Sequence, residues 1–163
     1  MAITKNANPR PLDRIDRRIL QTLQSEGRIS YVDLGKAVGL STSPCLERVK
    51  RLEQDGFIKG YRAILNPQLL DASLLIYVEV SLDYNSSDIF DQFRNAVLKI
   101  PQIQECHLVS GDFDYLIKIR ISDMAAYRAL LGEIMQGLPG VRDTKSYVVM
   151  EELKESLTID LPG

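Results

Sequence analysis

The stretch Ser30–Gly60, SYVDLGKAVGLSTSPCLERVKRLEQDGFIKG, decides how this chain is read. It predicts two short helices around a Gly-Leu turn, the second of them basic, followed by a short apolar strand, which is the layout of a winged helix-turn-helix. Ser30 is placed to cap the first helix, with Asp33 at the third helical position and at the positive end of the dipole. Gly39 stops that helix. Ser41, Thr42 and Ser43 offer caps for the next one, and Pro44 falls in a first turn, where its missing N–H costs nothing. Leu46, Val49 and Leu52 mark a buried stripe, which leaves Arg48 and Arg51 together on another face, with Lys50 nearby. Such a face can enter a major groove. A basic helix taken alone is more often a solvated, ion-paired surface, here Glu47, Arg48, Lys50 and Arg51, because Glu47 and Arg51 stand at i, i+4; the combined motif favours the groove-binding reading.

Working outward, Leu12, Ile15, Ile19 and Leu23 form another helical stripe, with Asp13 as its cap and Gly27 as its stop. Three helices and a wing complete one domain. The 163 residues allow a second, and a 45% hydrophobic content is that of a chain with a real core. The N-terminal residues 1–11 carry no hydrophobic leader and no long apolar run follows, so neither secretion nor a membrane partner is expected and the cytoplasm is the expected compartment. Cys45 and Cys106 lack C-x-x-C spacing, which speaks against zinc and against a disulfide framework.

The net charge of −2 divides unevenly. Residues 1–66 hold 12 Lys and Arg against 7 Asp and Glu, a net +5; residues 67–163 hold 8 against 15, a net −7. Phosphate contact is therefore expected of the first part only.

Past a break at Asn66-Pro67, Leu74 to Leu82 alternates as a strand. Ser86 or Ser87 should cap a helix carried by Ile89, Phe93, Val97 and Ile100, and a second strand is expected from about Ile103 to Val109. After the Gly111–Asp114 turn a third strand alternates through Ile121; Ser122 should cap a helix through Leu138, and a last strand is expected near Thr144 to Glu151. The order is βαββαβ. Ile100-Pro101 and Leu138-Pro139 recur at matching places, so the plan is a duplicated β-α-β unit, a ferredoxin-like sandwich. Its helix-free face would display Leu75, Tyr77, Val109 and Leu116, an apolar surface for another subunit. The expected fold class is thus α+β. Its divisions are an N-terminal flexible arm (1–11), a winged helix-turn-helix (12–66), a linker (67–73), the sandwich (74–155) and a tail (156–163).

No catalytic constellation emerges. His107 is the single histidine, and strand neighbours such as Cys106 and His107 point to opposite faces. Asp112 and Asp114 suit a carboxylate pair, a cation site or plain turn formation. No phosphate-binding glycine loop appears, and no cofactor is expected.

Six segments in order carry a resemblance: DRIDRRIL from Asp13, PCLERVKRLE from Pro44, GFIKGY from Gly56, LDASLLIYVEV from Leu70, QECHLVSGDFDY from Gln104 and LPGVRDTKSYVVMEE from Leu138. On these the chain resembles the Lrp/AsnC (feast/famine) family over residues 12–155. The resemblance implies a bacterial, nucleoid-associated regulator of amino-acid metabolism that binds double-stranded DNA and senses an amino acid, leucine first. It also implies homodimers that assemble to octamers or related rings. The DNA-binding residues expected from the motif and the charge split are Ser41, Thr42, Ser43, Arg48, Lys50 and Arg51. The implied effector residues are Leu108, Gly111, Asp112, Asp114, Met124, Tyr147, Val148 and Val149, with a carboxylate receiving the ammonium group.

Overall fold

The computed structural model describes residues 10–84 and 86–162, apart from the side chains at 135 and 136. Most of the expected N-terminal arm, residues 1–9, lies outside the described residues. The chain separates into two compact units, one running to Ile64 and resuming at Glu155, the other Leu65–Lys154.

The first unit is built on three helices, α1 (Arg14–Ser25), α2 (Tyr31–Val38) and α3 (Thr42–Gln54). Asp13 caps α1 through a reciprocal box, its carboxylate accepting from the Asp16 amide at 2.8 Å while Asp16 accepts from the Asp13 amide at 3.1 Å. Ser30 caps α2, its Oγ accepting from the Asp33 amide at 3.1 Å. Gly39 ends α2 in the left-handed region at φ 77°, as the turn into α3 requires. Ile19, Leu34, Val38, Cys45, Val49 and Leu52 close the core between the three helices. Cys45, not Leu46, begins the buried stripe of α3; Leu46 sits at its margin, half-buried.

The expected wing strand does not form: residues 57–64 carry no ladder, and Tyr61 and Ile64 are exposed. Apolar residues alone do not make a strand when no partner strand lies alongside.

The second unit follows a short 3-10 turn at Pro67–Leu69. Its elements are β1 (Leu74–Leu82), α4 (Ile89–Val97), β2 (Ile103–Leu108), β3 (Tyr115–Ile121), α5 (Met124–Gly137) and β4 (Val141–Val148). The four strands are antiparallel in the order β2-β3-β1-β4, the topology of the expected sandwich. Ile76, Val78, Val80 and Leu82 of β1 share one core with Ile117 and Ile119 of β3, Phe93 of α4 and Leu130 and Ile134 of α5.

Three local boundaries differ from the sequence reading. Asp88, not Ser86 or Ser87, precedes α4; Asp123, not Ser122, caps α5, accepting from the Ala126 amide at 2.8 Å. The last strand starts at Val141 instead of near Thr144, because Gly140 at φ 70° turns the chain directly into register with Leu82. The helix-free face is also less apolar than expected. Leu75 is buried, Tyr77, Val109 and Leu116 are half-buried, and by strand alternation the same face carries Glu79, Lys118 and Lys145.

Candidate nucleic-acid interface and effector site

In α3 the arginines expected to reach DNA are already held. Arg48 Nη1 lies 2.6 Å from Asp13 Oδ2 and 2.8 Å from Asp16 Oδ1, and Arg51 Nη2 lies 2.6 Å from Asp16 Oδ2. Their side chains keep only 28% and 25% of their exposure, and Asp16 is buried. The reading in which both guanidinium groups project freely from α3 is therefore corrected. The two residues flank the buried stripe and face α1, where a carboxylate on that helix's inner side needs a cationic partner. The Glu47–Arg51 pair weighed for a solvated helix gives way to this clamp as well. Arg48, which hydrogen-bonds to Asp13, holds that carboxyl at about 2 instead of 3.8, and the same contacts push the Arg48 guanidinium pKa upward.

Asp16 was missed in the sequence. The signal was present: an acidic residue among Leu12, Ile15, Ile19 and Leu23 stands on an apolar face and must be paired there.

With the arginines turned inward, a different stripe faces solvent. Ser43, Glu47, Lys50 and Gln54 are all exposed, and their spacing of four, three and four residues puts them in one row along α3. Ser41 and Thr42 are exposed at the start of the helix, and Ser41 makes no side-chain cap bond. The first-turn amides of α3 thus have no help from Ser41, which leaves them open to an acceptor such as a phosphate oxygen. Of the six residues expected at DNA, Ser41, Thr42, Ser43 and Lys50 lie on exposed surface, while Arg48 and Arg51 do not.

In the second unit the β2–β3 turn is fixed by the residue expected to bind a ligand. Asp114 Oδ2 accepts from the Leu82 amide at 2.7 Å, its other oxygen accepts from the Tyr84 hydroxyl, and its own amide donates to Val80 at 3.0 Å. Hydrogen bonding to Asp114 pushes the Tyr84 phenol upward. Both carboxylate oxygens are engaged within the chain, so Asp114 pins the turn. Asp112 is the exposed carboxylate beside it. Together with Glu79, Ser81, Phe113, Asp143 and Lys145 it lines a hollow of about 130 Å³. Gly111, at φ 150°, is also exposed.

The apolar members of the expected effector set do not converge within one chain. Leu108 is 62% exposed on β2, whereas Tyr147 and Val148 are 41% and 39% exposed on β4, at the opposite edge of the sheet. Three strand spacings separate those edges, roughly 14 Å. Met124 opens α5, half exposed, and Val149 follows β4, its amide donating to Leu75 at 2.9 Å. His107 and Glu105 meet on β2 at 3.2 Å, with Lys118 of β3 at 3.3 Å from the same carboxylate. Cys106 points the other way, against the core. That cluster resembles a strand-face ion pair and offers no nucleophile and base in contact.

A three-helix unit with one polar helix row open to solvent, joined to a four-stranded sandwich, is the arrangement of a DNA-binding regulator. A winged helix-turn-helix DNA-binding family model matches residues 12–59, and an Lrp/AsnC ligand binding domain model matches residues 75–159. The chain belongs to the Lrp/AsnC family of transcription regulators. It is 62% identical over 156 residues to the leucine-responsive regulatory proteins of Klebsiella pneumoniae and Escherichia coli (strain K12), covering 96% of this chain and 95% of each of theirs. Identity to the leucine-responsive regulatory protein of Serratia marcescens is 65% over 145 residues, 89% of this chain and 88% of that one. Among solved structures, a transcriptional regulator from Neisseria meningitidis in complex with L-Met superposes with a TM-score of 0.87 at 34% identity, covering 92% of this chain and 97% of that one. An AsnC family transcriptional regulator from Agrobacterium tumefaciens gives 0.87 at 33% identity, covering 91% and 97%.

Proposed function

We propose that this regulator reads DNA with the Ser43–Glu47–Lys50–Gln54 row of α3 and is controlled by an amino acid, leucine first. The observation that carries the leucine reading is the 62% identity, spanning both units, to proteins named for their response to leucine. A related regulator solved as an L-Met complex supports an amino-acid ligand more broadly. Lys50 supplies phosphate attraction, Ser41, Thr42 and Ser43 supply hydroxyls at the helix start, and Glu47 and Gln54 are placed to discriminate base edges. Arg48 and Arg51 act through the fold, by fixing the angle at which α3 is presented.

The effector site is composite in this reading. Asp112 receives the ammonium group and backbone amides near Gly111 receive the carboxylate, while apolar side chains such as Leu108 and Tyr147 come from different protomers, since one chain keeps them on opposite edges. Homodimers assembling to octamers supply those neighbours, and the protein works in the cytoplasm on the nucleoid, where its DNA is. Leucine shifts DNA binding only insofar as it binds the assembly states with different affinity.

Titrating leucine into the protein during operator binding tests this. Leucine should change the apparent DNA affinity about 5- to 150-fold, and Asp112→Asn should abolish that change while leaving leucine-free binding intact. An unchanged affinity and an unchanged oligomeric mass at saturating leucine would remove leucine as the effector.

A further inference from the structure

The residues after Lys154 carry no motif, yet the chain from Glu155 onward groups with the winged helix-turn-helix and not with the sandwich that precedes it. The backbone thus passes between the two units twice, once after Ile64 and again after Lys154. The returning segment is held on α1 by side chains that grip its backbone. Gln24 takes both polar groups of Ile159: its Oε1 accepts from the Ile159 amide at 2.7 Å and its Nε2 donates to the Ile159 carbonyl at 3.0 Å. Gln21 Nε2 donates to the Leu161 carbonyl at 2.9 Å, and Arg17 Nη1 donates to the Pro162 carbonyl at 2.9 Å. Leu161, half-buried, packs against the core of the three helices.

Arg17, Gln21 and Gln24 stand at i, i+4 and i+7, a single row that flanks the buried stripe of α1 beside Leu20. A side-chain amide offers one acceptor and two donors, so Gln24 serves Ile159 as an adjoining strand would. These bonds are exposed, and water competes for each partner. Segments held by exposed hydrogen bonds and few buried contacts open locally at low cost. Leu161 is the single apolar anchor among residues 157–162 that packs against the core, while Leu157 and Ile159 remain exposed.

From this we infer that residues 157–162 form a releasable second tether on the DNA-binding unit, clasped by Arg17, Gln21 and Gln24. A unit joined by one linker samples every orientation the linker allows, and a second attachment closes a loop and removes much of that freedom. With the clasp closed, α3 is presented over a narrow range of directions; with it open, the range widens. Clasp occupancy is therefore a control on DNA binding separate from the effector.

The full chain tests it through hydrogen exchange of the 157–162 segment, read by mass spectrometry, and time-resolved anisotropy of a fluorophore at R28C in a C106S background. Wild type should exchange the Ile159 amide about tenfold or more slower than a free peptide of the same sequence. The Gln21→Ala, Gln24→Ala double variant should exchange at the free rate, and its fluorophore should reorient faster; because both residues are exposed, its helix content should not change. A chain ending at Lys154 should match the double variant in anisotropy. Free-peptide exchange in wild type overturns the inference, as does unchanged anisotropy once the clasp is broken. Cross-links from Gln24→Cys to Ile159→Cys that form only between two differently labelled chains would overturn it too, because the tether would then join different protomers.

Discussion

At the scale of single residues, Asp16 decides how the DNA-binding unit is assembled. It is fully buried, receives the Asp13 amide at 3.1 Å, and faces both Arg48 and Arg51 across 2.6–2.8 Å. A buried carboxylate gains little net stability from such pairing, but removing it strands two inward-facing cations. Asp16→Ala should therefore destabilise the winged helix-turn-helix by about 3–5 kcal/mol in urea unfolding. Asp13 behaves differently, being 37% exposed, so solvent screens much of its share. Its folded pKa, about 2, lies below the ordinary 3.8, so the stability it contributes is fully present above pH 3.8 and is lost as pH falls toward 2. Unfolding midpoints followed from pH 5 to pH 2 should show that decline, and Arg48→Ala should flatten it. The arginine spacing was legible in the sequence, but its target was not. Periodicity tells which residues of α3 share a face, whereas the partner of Arg48 sits 32 positions away on a helix whose packing angle no local pattern encodes.

At the scale of elements, the turn between α2 and α3 rests on Gly35. A Cβ there would lie 2.8 Å from the Leu40 carbonyl oxygen, a backbone atom that cannot swing aside. Gly35→Ala should cost about 1–3 kcal/mol by overpacking and weaken DNA binding by displacing α3, to be read by thermal unfolding beside operator titration. Helix starts at Asp13 and Ser30 and the whole of β1 were legible because capping and alternation are local effects. Asp88 takes the position before α4 without a side-chain cap bond, and Asp123 caps α5 in place of Ser122, since several cap-competent residues stand in a row and only geometry selects among them. The wing's strand was not legible for the opposite reason: a strand is a relation between two segments, and among the described residues 57–64 form no ladder with another.

At the scale of the whole molecule, the division of charge was visible in the sequence and persists in the two units, at a net +3 (12 Lys and Arg against 9 Asp and Glu) for the first and −5 (8 against 13) for the second once Glu155 and Asp160 are counted with the first. The ligand site was only partly visible. Asp112 and Asp114 look equivalent in sequence, yet one is exposed and the other is consumed by Leu82 and Tyr84. The C-terminal residues gave no sign of returning to α1, since the contacts that hold them are made to backbone atoms and leave no trace in side-chain pattern.

In the proposed reading Lys50 meets the DNA backbone while Arg48 holds α3 in place. Operator affinity measured against salt for wild type, Lys50→Ala and Arg48→Ala tests it directly. Lys50→Ala should lower the magnitude of the log–log salt slope by about one, and Arg48→Ala should leave the slope intact while lowering unfolding stability. A lowered slope for Arg48→Ala beside an unchanged one for Lys50→Ala would contradict it.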